Sequence, residues 1–232
     1  MKIFEFFGES GAGKSFLFKK INIKYKKKNI FTFKTIFYFY LLKKKKISYL
    51  KYKIIKFLII NEIGKSKNFF IKFFSNFYFN VEQDTKKERK LFFKKIKVEY
   101  NNFFELYVNQ LKKIKDKKEE KLLKKWIIEV LIGYHLAKDN YKDTILLAPE
   151  GFYQRIYSLY KRTVISKEIL QKLILLTPKV DKVFFIKNIK LPNHKIQNIF
   201  ELIKKKKIKN LTIYNNKKNF KNNLKMIVKN LK

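Results

Sequence analysis

The stretch that decides the fold lies at the start of the chain and reads Lys2-Ile3-Phe4-Glu5-Phe6-Phe7-Gly8-Glu9-Ser10-Gly11-Ala12-Gly13-Lys14-Ser15. Its second half fits the pattern G-x-x-x-x-G-K-[ST] at every position. The apolar run over residues 2–7 predicts a short buried strand, and residues 14–25 predict the first helix. A glycine loop between a strand and a helix is the structural context that this pattern requires.

Each specified position of the pattern has a chemical reason. Glycines at positions 8, 11 and 13 let the backbone turn its N–H groups toward phosphate oxygens, and the start of the helix adds a partial positive charge. We expect Lys14 to reach the β- and γ-phosphates and Ser15 to offer its hydroxyl to Mg²⁺. The sequence therefore predicts that ATP and Mg²⁺ bind along Gly8, Glu9, Ser10, Gly11, Ala12, Gly13, Lys14 and Ser15.

The rest of the chain alternates between predicted strands and predicted helices. Further strands are expected within residues 29–42, 144–148, 182–186 and 210–214, with helices between them. This alternation predicts an α/β fold, a three-layer sandwich in which helices cover both faces of a parallel sheet. Apolar residues that recur every three or four positions predict a mostly helical insertion over residues 43–140, within a single domain of residues 1–232.

A second motif follows the strand predicted at residues 144–148. It reads Pro149-Glu150-Gly151-Phe152-Tyr153-Gln154-Arg155. Ligands of open parallel sheets bind outside the carboxyl ends of the strands, so Glu150 is delivered to the edge where a ligand is expected. A plainer interpretation also stands, in which Glu150 is a favourable charge at a helix N-terminus and Arg155 is a surface residue.

Together the two motifs resemble those of small P-loop kinases of the adenylate and thymidylate kinase type, which act on nucleotides, nucleosides and other small molecules. The resemblance covers residues 1–20 and about 143–232, and it implies catalytic roles for Lys14, Glu150 and Arg155. Glu150 would orient the Mg²⁺ shell or activate the acceptor hydroxyl, and Arg155 would bind the acceptor or the transferred phosphate. Related sequences often have Asp where this chain has Pro149, which carries no carboxylate.

The resemblance also implies a lid after the fourth strand, over residues 187–209. Arg residues of such a lid neutralise the charge that develops during phosphoryl transfer. This segment contains no Arg. Lys187, Lys190 and Lys195 are the candidates to replace them as point charges.

The composition is strongly basic, with 57 Lys and Arg against 18 Asp and Glu and a formal net charge of +39. Such a surplus is typical of proteins that bind nucleic acid or anionic membranes. The positive residues are nearly all Lys, however, and Ile, Phe, Tyr and Asn are abundant as well. All of these have A- and T-rich codons, so a base-biased genome explains the composition, and nucleic acid is not expected as a partner.

The location of the protein is constrained by what the sequence lacks. Cys is absent, which excludes disulfides and thiolate metal sites. No signal peptide is recognisable, and the most apolar stretches are shorter than the roughly 20 residues that a membrane span needs. We therefore expect a cytoplasmic protein without a transmembrane segment. Attachment to an acidic lipid surface stays open, because Lys and aromatic residues alternate between residues 30 and 60.

Three functions are compatible with the sequence. The leading one is an ATP- and Mg²⁺-dependent phosphotransferase that acts on a small-molecule acceptor. The second is a nucleotide-binding protein without kinase turnover, which the missing Asp at Pro149 and the Arg-free lid favour. The third is an ATPase stimulated by nucleic acid. The identity of the acceptor and the oligomeric state stay open.

Overall fold

The structure is a computed structural model that describes residues 2–24, 30–61, 69–141, 144–187, 194–214 and 219–231. Its strands are β1 (Lys2–Gly8), β2 (Ile30–Phe31), β3 (Ile145–Ala148), β4 (Lys182–Lys187) and β5 (Lys209–Tyr214). Its helices are α1 (Lys14–Lys24), α2 (Phe33–Lys43), α3 (Tyr49–Asn61), α4 (Phe69–Asp84), α5 (Lys86–Ile96), α6 (Asn101–Leu111), α7 (Lys117–Asn140), α8 (Phe152–Arg162), α9 (Lys167–Leu176), α10 (His194–Lys205) and α11 (Phe220–Asn230).

The five strands form one parallel sheet in the order β2-β3-β1-β4-β5. The first strand is thus central, with β3 on one side and β4 on the other. In the register, Glu5 lies beside Ala148 of β3, and Gly8 lies beside Ile186 of β4. Because all the strands run the same way, the segments that follow β1 and β3 leave the sheet at the same edge.

Helices cover both faces of the sheet, because the side chains of β1 alternate between two apolar clusters. Phe4 and Phe6 belong to a smaller cluster that includes Leu17 of α1 and Ile227 of α11. Phe7 belongs to a larger cluster formed with the helices of the other face, α2 and α7 to α10 among them. Every residue of β1 after Lys2 is buried, as expected for a strand covered on both sides.

The predicted α/β class, the parallel sheet and the helices around it are therefore confirmed. The segment expected to be helical contains α3, α4, α5, α6 and α7, and these helices do not form a core of their own. Buried residues of α3, α5, α6 and α7 belong to the same apolar cluster as Phe7 of the central strand. None of the helices that the structure describes is both long enough and apolar enough to cross a membrane.

Helix α7 lies close against α2 because it carries a glycine at the crossing. A Cβ atom added to Gly133 would lie 2.6 Å from the Cα and from the carbonyl oxygen of Phe33. Backbone atoms cannot move aside as a flexible side chain does, so the two helices keep this separation only with glycine at position 133.

We predict that Gly133→Ala lowers the free energy of unfolding by about 1–3 kcal/mol, because overpacking outweighs the better helix propensity of Ala. Urea unfolding measures the change. Lys124→Ala, at an exposed position of the same helix, is the control and should change stability by less than about 0.5 kcal/mol. A Gly133→Ala protein as stable as the native chain would show that α2 and α7 can separate at little cost.

Candidate functional site

The glycine loop, residues 8–13, joins the central strand to α1. Gly11 and Gly13 have φ angles of 81° and 85°, which side-chain-bearing residues rarely adopt. Gly8 is required for a different reason, because a Cβ atom there would lie 2.2 Å from the carbonyl oxygen of Ile186. The loop then leads directly into α1, whose first N–H groups have no partners within the helix. The glycine loop thus lies between a buried strand and a helix.

Lys14, the first residue of α1, turns its ammonium group back onto the loop. Its Nζ atom donates hydrogen bonds to the carbonyl oxygens of Gly8, at 2.7 Å, and of Glu9, at 2.5 Å. Burial lowers the pKa of Lys14 to about 8, although the charges of Glu150 and Glu9 act in the opposite direction. The lysine is therefore held at the carboxyl end of β1, within electrostatic reach of Glu150.

Glu150 and Arg155 reach the same edge from β3. The strand ends at Ala148, and α8 begins at Phe152, so Glu150 lies in the short connection between them. An Nη2 atom of Arg155 lies 2.9 Å from Oε2 of Glu150, with the Glu side chain half exposed and the Arg side chain 9% exposed. Lys14, Glu150 and Arg155 thus lie near one another at this edge of the sheet.

Arg155, to which the resemblance assigns the acceptor or the transferred phosphate, is buried. Its guanidinium group lies over the ring of Trp126, 4.3 Å from the ring centre, and forms an ion pair with Glu150. Both contacts fix the direction of the guanidinium group. Trp126 belongs to α7, in the segment that the sequence predicts to be mostly helical. The contact joins residues 29 positions apart, which no local pattern reveals.

Glu5 is a residue of the site that the sequence analysis missed. It lies inside the central strand with no exposed surface, and its Oε1 atom accepts a hydrogen bond of 3.0 Å from the backbone N–H of Gln154. Burial raises the pKa of Glu5 to about 8, against the effect of the N–H groups at the start of α8 and of Arg155. At neutral pH the carboxyl group is therefore mostly protonated. The sequence feature that could have identified Glu5 is a glutamate within an otherwise apolar predicted strand.

Gln154 connects this carboxyl group to the glycine loop. Its side-chain Oε1 atom accepts a hydrogen bond of 3.3 Å from the backbone N–H of Gly8, and the side chain is buried. The loop and the start of α8 are thus in direct contact.

The residues predicted to hold Mg²⁺ are Ser15 and Glu150. Ser15 lies half-buried in the first turn of α1, and Glu150 is half exposed on the neighbouring connection. A hydroxyl and a carboxylate are hard oxygen ligands of the kind that Mg²⁺ takes when it keeps several waters and binds substrate phosphates. Within the described ranges no group of three or more His, Cys, Asp or Glu side chains forms a ready-made metal site. The oxygen atoms of Ser15 and Glu150 are thus of the chemical type that Mg²⁺ prefers.

Two of the three lysines predicted for the lid, Lys187 and Lys195, lie in the part of the chain that the structure describes. Lys195, in α10, donates a hydrogen bond of 3.0 Å to the carbonyl oxygen of Tyr160, near the end of α8. Lys187 ends β4 with its ammonium group 5.8 Å from the ring centre of Tyr214. Lys190 lies outside the described residues.

Comparison with known protein families finds no match, and comparison with curated proteins and with solved structures finds none either. The structural class of the protein is therefore assigned from its own sheet and helices. The chain is an α/β protein with a five-stranded parallel sheet, and its candidate site lies where the segments after β1 and β3 meet.

The raised pKa of Glu5 predicts how stability depends on pH. The unfolded chain loses this proton near pH 4.5 and the folded chain near pH 8, so the free energy of unfolding falls as pH rises between these values. We predict that Glu5→Gln, which keeps an accepting oxygen but cannot ionise, removes a slope of about 1 kcal/mol per pH unit from that window.

Urea unfolding at pH 5, 6, 7 and 8 compares the two proteins. Glu168→Gln is the matched control, because Glu168 is exposed and its pKa is lowered, so it loses no proton in this window. Parallel stability curves for the native chain and Glu5→Gln would mean that Glu5 is already ionised at pH 5 in the folded protein.

Proposed function

We propose that the chain is an ATP-binding phosphotransferase of the P-loop class, similar to small-molecule and nucleotide kinases, that transfers the γ-phosphoryl group to a small acceptor. The observation that carries the proposal is the meeting of Lys14 and Glu150 where β1 and β3 end. Lys14 follows the strand that leads into the glycine loop, and Glu150 follows its parallel neighbour. A cation for phosphates and a carboxylate for an acceptor thereby share one edge of the sheet.

The glycine loop and α1 supply the nucleotide half of the site. Backbone N–H groups of the loop and of the first turn of α1 would bind the phosphates, and the ammonium group of Lys14 would exchange its bonds to Gly8 and Glu9 for bonds to phosphate oxygens. Ser15, together with Glu150, would hold Mg²⁺, which neutralises charge on the phosphates.

The acceptor half of the site contains Glu150 and Arg155. The acceptor oxygen forms a bond to the γ-phosphorus, the bond from that phosphorus to the β–γ bridging oxygen breaks, and ADP leaves. Glu150 takes the proton of the acceptor hydroxyl. Arg155 orients the Glu150 carboxylate through the ion pair of 2.9 Å. Trp126 in turn fixes the guanidinium group.

A second function, nucleotide binding without phosphoryl transfer, has support from the same contacts. The Glu150 carboxylate is engaged by Arg155, and Pro149 offers no carboxylate beside it. A protein of this kind would use ATP to stabilise one conformation or one assembly. The two functions share the nucleotide half of the site and differ in whether Glu150 reacts.

Nucleotide binding is tested by titrating Mg·ATP into the native chain and into Lys14→Ala in a calorimeter. We expect the substitution to weaken binding about tenfold to hundredfold, because it removes charged hydrogen bonds to phosphate. Lys19→Ala is the matched control, since Lys19 is an exposed lysine of the same helix and its removal changes the net charge equally. Equal losses in the two variants would reduce the effect to general electrostatics and contradict the role of Lys14.

Phosphoryl transfer is tested by ADP formation from Mg·ATP in the presence of nucleosides, nucleoside monophosphates and sugars. We predict that Glu150→Gln lowers acceptor-dependent turnover at saturating Mg·ATP by about a hundredfold or more, as expected when a general base is lost. Glu168→Gln, a substitution of the same chemistry on the surface of α9, should have native turnover. A native chain that binds Mg·ATP tightly and forms no ADP with any acceptor of the panel supports the second function.

A further inference from the structure

Two buried side chains join the central strand to α8 by hydrogen bonds that run in opposite directions. Glu5 of β1 accepts a bond from the backbone N–H of Gln154 at 3.0 Å. Gln154 of α8 accepts a bond through its side chain from the backbone N–H of Gly8 at 3.3 Å. We call Glu5, Gly8 and Gln154 the β1–α8 bracket.

The first half of the bracket caps α8. Gly151 is the N-cap residue of this helix, and with no side chain it makes no cap hydrogen bond of its own. Glu5 replaces that missing acceptor from the neighbouring strand. A Cβ atom on Gly151 would lie 2.4 Å from Cδ of Glu5, so a larger residue there would displace the Glu5 carboxyl group. The start of α8 is therefore set by a residue of the central strand.

The second half of the bracket holds the glycine loop at its first residue. Gly8 is bounded on one side by β4, since a Cβ atom would meet the carbonyl oxygen of Ile186 at 2.2 Å. Its N–H group is bound on the other side by Gln154. The accepting oxygen there belongs to a neutral amide, so the site gains no further negative charge where phosphates are expected. Gln154 thus fixes where the loop begins.

The bracket spans the two halves of the proposed site. Glu150 lies one residue before the N-cap Gly151, and Lys14 follows the loop that begins at Gly8. A displacement of α8 along the sheet would move Glu150 relative to Lys14, and the two bonds of the bracket oppose such a displacement. Positioning of reacting groups to within a fraction of an ångström has large effects on rate.

We propose that Glu5 and Gln154 are positioning residues, which hold the glycine loop and the Glu150 connection at the separation needed for phosphoryl transfer between them. The proposal rests on the proposed function, because it concerns the distance between the nucleotide and acceptor halves of that site. It makes the buried glutamate and the glutamine part of the functional apparatus, although neither touches substrate.

The test uses Gln154→Met, which conserves volume and removes the accepting oxygen. We expect the Gly8 amide to lose its protection against hydrogen exchange, because its N–H group is left without its partner. We also expect Mg·ATP to bind about tenfold more weakly, because the start of the glycine loop is no longer held in place. Thr177→Val is the stability-matched control. It removes one buried side-chain hydrogen bond, from Thr177 to the carbonyl oxygen of Leu173 at the end of α9, away from the site.

A double-substitution cycle shows whether the two side chains act together. Glu5→Met removes the cap of α8, and Glu5→Gln retains an accepting oxygen. We expect Glu5→Gln to recover most of the affinity and turnover that Glu5→Met loses. The double variant Glu5→Met/Gln154→Met should lose little more than either single variant, as groups that act as a unit do.

The results of these experiments distinguish a failure of the positioning role from a failure of the proposed function. If the native chain binds Mg·ATP while Gln154→Met and Thr177→Val lose stability equally and keep native affinity and turnover, the bracket is structural only and the proposal is overturned. Fully additive losses in the double-substitution cycle also overturn it. If the native chain binds no Mg·ATP, the proposed function itself fails, and the positioning role fails with it.

Discussion

Parallel pairing of the central strand with β3 is the constraint on which the rest of the site depends. Because the strands run in the same direction, the chain leaves both of them at one edge of the sheet, and residues more than 130 positions apart become neighbours. Lys14 and Glu150 owe their proximity to this geometry. An antiparallel pair would have sent the glycine loop and the Glu150 connection to opposite edges.

The helices over residues 49–140 contribute to this edge as well as to the core. Helix α7 lies against α2 through Gly133, and its Trp126 ring supports the guanidinium group of Arg155. The segment that the sequence analysis described as an insertion is thus continuous with the main apolar cluster. A change in the packing of α7 would reach Glu150 through Arg155.

The positions of the charged groups in the site depend on their local partners more than on the large positive charge of the chain. Lys14 is bound to loop carbonyl oxygens, Arg155 is paired with Glu150, and Glu5 is buried in a mostly protonated form at neutral pH. Each of these groups is held by specific partners with little access to water, where electrostatic effects are strong. The surplus of Lys is a property of the composition and does not explain how these particular groups are placed.

The sequence by itself determined the α/β class, the glycine loop and the positions of Lys14 and Ser15, because strand alternation, helical periodicity and the need for glycine are local properties of the chain. It also identified Glu150 and Arg155 as candidates, since an acid at the end of a buried strand is visible locally. Only the tertiary structure decided that Arg155 pairs with Glu150 over Trp126, and that Glu5 caps α8 while Gln154 binds Gly8. Those contacts join residues distant in the chain, and their partners are set by strand order and helix packing, which no local pattern encodes.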